Sequence, residues 1–285
     1  MSKILVGIIL YNPEINRLQE NIKAITSQID NIVFIDNNSK NIDIISKILP
    51  KNSVLIRNKC NVGIAKALNQ VLQYALKNNY EWVLTLDQDS VVGNNIIEVY
   101  SEYINKLDSD VGMICCKIID RNANFSTSKH IKEIDGYINQ CITSASMLRV
   151  KAWQEIGGFD DNMFIDSVDF DICINLRKHG WKIFRTYKTQ ILHEVGHSKV
   201  IKIFGKEYLS LNHTPFRYYY IARNNIYLGR KYGMLFHNIC VLCRIVWTII
   251  IYEDQKYEKI KKIIFGFING FCCQITKSIE CKKYE

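Results

Sequence analysis

Proline is scarce in this 285-residue chain, three residues in all, beside abundant Ile, Lys and Asn. That bias points to no particular chemistry. Two missing motifs say more. No G-x-G-x-x-G fingerprint follows the first apolar run, and no G-x-x-x-x-G-K-[ST] loop is present, which argues against a dinucleotide oxidoreductase and against a P-loop ATPase. The opening residues Met1 to Val6 run straight into a strand pattern, with no signal-peptide layout. Ten cysteines without such a leader predict reduced cytosolic thiols, not a disulfide framework. An uninterrupted membrane-length run is missing too, because the apolar stretch Leu235 to Tyr252 is broken by His237, Asn238 and Arg244. Acidic residues are short in one place only. Residues 1–198 carry 22 Lys+Arg against 22 Asp+Glu, so the totals of 37 and 28 leave 15 against 6 for residues 199–285. A basic tail on a neutral body predicts an anionic partner surface, phospholipid or nucleic acid.

The chain is long enough for one large domain or two small ones. Its first ninety residues or so alternate strand and helix patterns four times. Apolar runs at Lys3 to Leu10, Asn31 to Ile35, Val54 to Ile56 and Trp82 to Leu86 are separated by helical spacing at Asn16 to Gln28, Asn41 to Leu49 and Asn61 to Asn78. This predicts an α/β fold with a doubly wound, parallel sheet. Each strand ends in polar residues: Tyr11 and Asn12, Asp36 to Ser39, Asn58 to Asn61, and Asp87-Gln88-Asp89-Ser90. In such a sheet those ends share one edge and build one pocket. Asp87 and Asp89, two apart in an extended chain, point the same way. Two converging carboxylates suit a divalent cation and the phosphates it carries. The plainer alternative is a polar strand end entering a turn.

Further on, Asn94 to Leu107 reads as a helix, Val111 to Ile119 as a strand, residues 120–140 as a loop over the pocket, and Ile142 to Val150 as a strand. A second acidic cluster, Asp166, Asp169 and Asp171, opens an amphipathic helix that stops at Gly180. Carboxylates there are stabilised by the helix dipole, and one held ionised by first-turn amides can act as general base. His193-Glu194-Val195-Gly196-His197 is a literal H-E-x-x-H, the zinc-hydrolase pattern, but Gly196 and the strand-like residues before it weaken the helix that pattern needs. Cys240, Cys243, Cys272 and Cys273 have poor spacing for a four-thiolate site and read as small core residues.

In order and spacing, six segments resemble the inverting family 2 glycosyltransferases of GT-A fold, and among them the bacterial rhamnosyltransferase branch. They are Val6 to Pro13, Ile35 to Ser39, Asn61 to Asn69, Leu86 to Ser90, Ile156 to Asp160 and Phe164 to Asp169. Arg217 to Asn225 is similar to the helix that follows the catalytic region in that branch. The resemblance implies a GT-A catalytic domain over residues 1–213, with a nucleotide-sugar half (1–110) and an acceptor and base half (111–213), and a basic helical extension over 214–285. It implies that Tyr11, Asn12, Asp36, Asn38 and Ser39 hold the donor's base and ribose, with Asn61 and Gly63 beside them. Asp87 would lie near the ribose, and Asp89 with His193 would hold Mg²⁺ or Mn²⁺ at the diphosphate. Asp169 would be the base, with Asp166 as a sharing candidate because Val168 replaces the first acid of the family's usual Glu-Asp pair.

The implied activity is an inverting, metal-dependent transfer of a sugar, L-rhamnose from dTDP-rhamnose, to a lipid-linked or growing cell-surface polysaccharide. A UDP-sugar donor is the alternative within the fold. A zinc hydrolase through His193, Glu194 and His197, or a non-catalytic nucleotide-binding or nucleic-acid-binding protein, are the alternatives of other classes. The apolar stretches Leu235 to Tyr252 and Ile263 to Phe271, flanked by Lys256, Lys259, Lys261 and Lys262, predict helices lying on an anionic membrane surface rather than on nucleic acid. The plainer reading is helices that close a homodimer or the catalytic domain. The expected location is peripheral, on the cytoplasmic face of the cell membrane.

Overall fold

The computed structural model describes residues 2–121, 133–193, 199–203, 206–210 and 212–275. They fall into two compact units, one running to Asn162 and resuming from Val168 through His193, the other holding Met163–Ser167 and the described residues beyond 195.

The first unit is built on β1 (Ile4–Leu10), α1 (Ile15–Thr26), β2 (Ile32–Asp36), α2 (Ile42–Ile48), β3 (Val54–Arg57), α3 (Ile64–Lys77) and β4 (Trp82–Asp87). It continues with β5 (Val91–Val92), α4 (Ile96–Lys106), β6 (Val111–Asp120), β7 (Gly136–Ile138), β8 (Ser146–Arg149), α5 (Val150–Glu155), α6 (Val168–Lys178) and β9 (Lys182–His193). The strands form one sheet in the order β3-β2-β1-β4-β8-β6-β9-β5, with β7 added on β9. The expected parallel ladder runs through β3, β2, β1 and β4. Beyond it the sheet is mixed, with β8 antiparallel to β4 and β6, and β6 parallel to β9. Buried apolar strands in the parallel half fit a sheet covered on both faces. Gly7 lets α3 close onto β1: a Cβ there would stand 2.2 Å from Val71 Cγ1.

Two expectations need correction. The stretch Ile142 to Val150 is strand only at Ser146–Arg149. Ala145 has φ +57, a turn conformation that ends the ladder, and its carbonyl is held by the Tyr100 hydroxyl at 2.6 Å. Burial pushes that phenol's pKa well up, so it stays a donor. Of the loop expected over residues 120–140, residues 122–132 lie outside the described ones, and Gly136–Ile138 pair with β9 as a short strand.

The second unit holds the antiparallel pair β10 (Lys199–Ile203) and β11 (Lys206–Ser210), then α7 (Pro215–Tyr232), α8 (Leu235–Tyr252) and α9 (Lys256–Cys272). Helix α7 starts on a Thr214 cap with Pro215 in its first turn and stops at Gly233, whose φ is +75. Tyr218, Ile221, Ala222, Ile226, Leu242, Ile249 and Ile263 form the core. Gly266 and Gly270 bring α9 against α7 with no room for a side chain, since Cβ atoms there would lie 2.2 Å from Tyr219 O and 2.7 Å from Arg223 O. At the α8–α9 junction Glu253 is buried, accepting from Tyr218 Oη at 2.7 Å, Lys259 Nζ at 2.9 Å and Asn212 N at 3.2 Å. The faces of α8 and α9 away from this core are apolar and bare: Phe236 is 83% exposed, Trp247 58%, Phe265 50% and Ile268 51%. Among the described residues α8 is the one helix long and apolar enough to cross a membrane.

Candidate active site

Three parallel strands end side by side. Leu10 of β1 pairs with Asp36 of β2, and Ile9 pairs with Asp87 of β4. The expected donor-side residues therefore share one edge. Asn12 turns back at φ +47, donates its N–H to Ser39 Oγ at 2.8 Å, and accepts from Lys40 N at 2.8 Å. Asp36 is fully buried and accepts Ser39 N–H on both oxygens, at 3.1 and 3.2 Å, with Arg57 Nε at 3.9 Å. It shapes the turn from within. Tyr11 is 48% exposed, and Asn38, at φ +67, is exposed as well. Asn61 accepts Gly63 N–H at 2.9 Å and holds that glycine at φ +86, just ahead of α3. Asn37, Asn58 and Gln70 tie this wall together: Asn58 Nδ2 donates to Asn37 Oδ1 and to Gln70 Oε1, each at 2.9 Å.

The end of β4 carries the titratable cluster. Asp87, Asp89 and His193 offer ligand atoms that all lie within 4.8 Å of one another. His193 Nε2 is 3.9 Å from Asp87 Oδ2, and its Nδ1 is 3.8 Å from Asp89 Oδ1. Residues more than a hundred positions apart meet because β5, straight after Asp89-Ser90, pairs with the end of β9 in the register Val91 to Leu192. Asn21 of α1 clamps the turn, donating to Asp87 O at 2.8 Å and Ser90 O at 2.6 Å. Two carboxylates and an imidazole, partly buried at one point, fit a divalent cation such as Mg²⁺ or Mn²⁺. Among the described residues this is the one such His/Cys/Asp/Glu group.

Asp169 lies in the first turn of α6, and its Oδ1 accepts Thr143 N–H at 2.8 Å. The next residue, Ser144, accepts Asp87 N–H on its Oγ at 3.1 Å. One short loop thus contacts both the acidic strand end and the α6 carboxylate. Asp166 belongs to the second unit. There the Arg217 guanidinium grips it as a fork, Nε at 3.0 Å and Nη2 at 2.9 Å from Oδ1, while Asn224 Nδ2 holds its carbonyl at 2.8 Å.

Asn21, Gln88, Thr143 and Ser144 carried no assignment from sequence, and neither did Asn37, Asn58, Gln70 and Ser90. Gln88 accepts Tyr11 N–H at 2.8 Å, linking two strand ends. The hydroxyl-rich run Thr143-Ser144-Ala145-Ser146 was the signal available for the loop. His193 closes a strand, while Glu194 and His197 of the H-E-x-x-H pattern lie outside the described residues. The core reading of the late cysteines fails at Cys243 and Cys272, which are exposed because α8 and α9 bury their opposite faces. Among the described residues the buried thiols are Cys115, Cys116, Cys141 and Cys173 of the first unit.

Known proteins supply an independent comparison. The sequence model of the family described as "Glycosyl transferase family 2" matches residues 5–174. The chain is 28% identical over 292 residues to dTDP-rhamnosyl transferase RfbF of Shigella flexneri, covering 94% of this chain and 95% of that protein. Two solved structures share the fold. One is S. aureus TarS 1–349 in complex with UDP-GlcNAc, with TM-score 0.56 and 15% identity over 94% of this chain and 72% of that one. The other is GalNAc-T7 with UDP, GalNAc and Mn²⁺, with TM-score 0.56 and 14% identity over 79% of this chain and 51% of that one. This chain thus matches about half the length of the GalNAc-T7 chain.

Proposed function

The chain belongs to glycosyl transferase family 2, and on that premise we propose that it transfers L-rhamnose from dTDP-rhamnose, with inversion, to a lipid-linked or growing polysaccharide. The observation that carries this reading is the shared edge where Asn12, Ser39 and Gln88 adjoin the Asp87, Asp89 and His193 cluster. Similarity to a dTDP-rhamnosyl transferase along nearly the whole chain supports the donor.

In this reading the nucleoside lies along the ends of β1 and β2, between Tyr11 and the Asn61–Gly63 turn. Asp89 and His193 hold Mg²⁺ or Mn²⁺, with Asp87 beside them. The cation would supply charge neutralisation for the departing diphosphate. Asp169 takes the proton from the acceptor hydroxyl. The dipole of α6 and the Thr143 amide both favour its ionised form, and the same amide fixes the carboxylate's direction. A single base suffices for inversion by direct displacement. Asp166 serves structure instead, because both of its carboxylate oxygens are taken up by the Arg217 guanidinium.

The bare faces of α8 and α9, with Arg244, Lys256, Lys261 and Lys262 exposed, support peripheral attachment to an anionic membrane, where a lipid-linked acceptor would be met. The test is turnover. Full-length protein with Mn²⁺ or Mg²⁺ should release dTDP from dTDP-rhamnose in the presence of lipid-linked acceptor. Preference for UDP-hexoses would replace the donor assignment.

A further inference from the structure

A buried pair of hydroxyls stands behind His193. Ser90 is 0% exposed and Ser144 4%. Ser144 Oγ accepts Asp87 N–H at 3.1 Å and lies 2.8 Å from Ser90 Oγ, which lies 2.8 Å from His193 Nδ1. The other ring nitrogen, Nε2, is turned to Asp87 Oδ2 at 3.9 Å. Nδ1 is also 3.8 Å from Asp89 Oδ1, but the closer serine hydroxyl holds it.

A neutral imidazole that ligates a cation through one nitrogen carries its proton on the other, and that N–H needs an acceptor. We infer that Ser90, backed by Ser144, is a positioning residue: it takes the Nδ1–H of His193 and so commits Nε2, beside Asp87, to the cation. The inference rests on the cation reading above. Ser90 Oγ accepts from Nδ1–H, and its own O–H donates to Ser144 Oγ. Ser144 Oγ has two lone pairs, one for Ser90 and one for the Asp87 amide. The ring's orientation is thereby tied to the backbone of the same aspartate that its Nε2 faces. If Ser90 were absent, the Nδ1–H would lose its acceptor at 2.8 Å, and the ring would turn toward Asp89 Oδ1, 3.8 Å away, or bind its ion less well.

This predicts a division of labour within Asp87-Gln88-Asp89-Ser90. The carboxylates meet the ion, Gln88 braces Tyr11, and Ser90 fixes the histidine that arrives from β9.

The test is an Mn²⁺ titration of the full-length protein followed by electron paramagnetic resonance, with no donor or acceptor present. Ser90→Ala should weaken Mn²⁺ binding about 10–100-fold, in the range expected for loss of a partner behind a ligating histidine. Ser90→Thr, which keeps the hydroxyl, should restore most of the affinity. Equal affinity in wild type and Ser90→Ala overturns the role of Ser90 and leaves the cation reading standing. Absence of Mn²⁺ binding in the wild type overturns both. Should Ser90→Ala fail to fold, long-range proton–nitrogen spectra of the wild type with Mg²⁺ decide instead. A protonated Nδ1 and an unprotonated Nε2 on His193 support the inference, and the reverse tautomer overturns it.

Discussion

Helices α3 and α8 put the same kind of residue to opposite uses. Helix α3 alternates polar and apolar positions and buries Ala65, Ala67, Leu68, Val71, Leu72 and Ala75. Helix α8 is more apolar along its length, yet only Asn238, Leu242 and Ile249 are buried. Apolar content in α3 is spent on holding the sheet whose edge carries the proposed donor-side residues. In α8 most of it is left on the surface, where large bare side chains each represent about 1.5–3 kcal/mol available to a partner phase. The lesson concerns where to look for function. In the first unit the proposed site lies in polar strand ends, and in the second the proposed attachment surface lies in apolar side chains that the fold leaves bare.

The contrast predicts that catalysis and surface attachment can be broken separately. Asp169→Asn should lower turnover most, by about 10²–10⁴-fold as for loss of a general base, with donor affinity and liposome binding nearly unchanged. Retained turnover would move the base elsewhere. Next comes Glu253→Gln, which leaves the Lys259 ammonium buried without its counter-charge and should destabilise the α7–α9 unit by about 3–5 kcal/mol. Thermal unfolding should show the loss, while donor binding measured well below the transition persists. Paired Trp247→Glu and Phe265→Glu variants alter side chains that are 58% and 50% exposed, so stability should hold while flotation with anionic vesicles is lost. Vesicle binding at wild-type level, or conversion of a wild-type dimer to monomers, would assign that face to a second copy instead.

The smallest effect concerns His213. Burial, and then the nearby Arg217, lower its pKa in the folded protein. The unfolded chain therefore takes up this proton first as pH falls. Stability of the second unit should decline from about pH 6.5 downward and level off below the folded pKa. A His213→Gln variant should flatten that part of the profile.

Much of this was legible from residue order, for identifiable reasons. Elements from β1 to β4 declare themselves through local periodicity and polar ends, α8 and α9 through their apolar stretches, and α7 through the resemblance at Arg217 to Asn225. The acidic strand end is visible because Asp87 and Asp89 follow an apolar run. Other features depend on contacts that no local pattern encodes. The antiparallel placement of β8 between β4 and β6 is a pairing choice made across more than thirty residues on one side and more than sixty on the other. Strand β9 mixes Arg185, Lys188 and Gln190 into its apolar positions because several strands share it, which masks its length. The turn at Ala145 is imposed by Thr85 and Tyr100 from outside, so Thr143 and Ser144 looked like strand residues when they are the loop that touches Asp169 and Asp87. Exposure of Cys243 and Cys272 follows from which helix faces meet α7, and apolar composition cannot report that.

The central claim is that the edge holding Asn12, Ser39, Asp87, Asp89 and His193 binds a sugar nucleotide through a divalent cation. Calorimetric titration of the purified full-length protein with dTDP-rhamnose, with and without Mn²⁺, measures this most directly. Saturable binding that requires Mn²⁺ and is lost in Asp89→Ala is the predicted result. Failure to bind dTDP-rhamnose or any UDP-sugar, with the metal present, would contradict it.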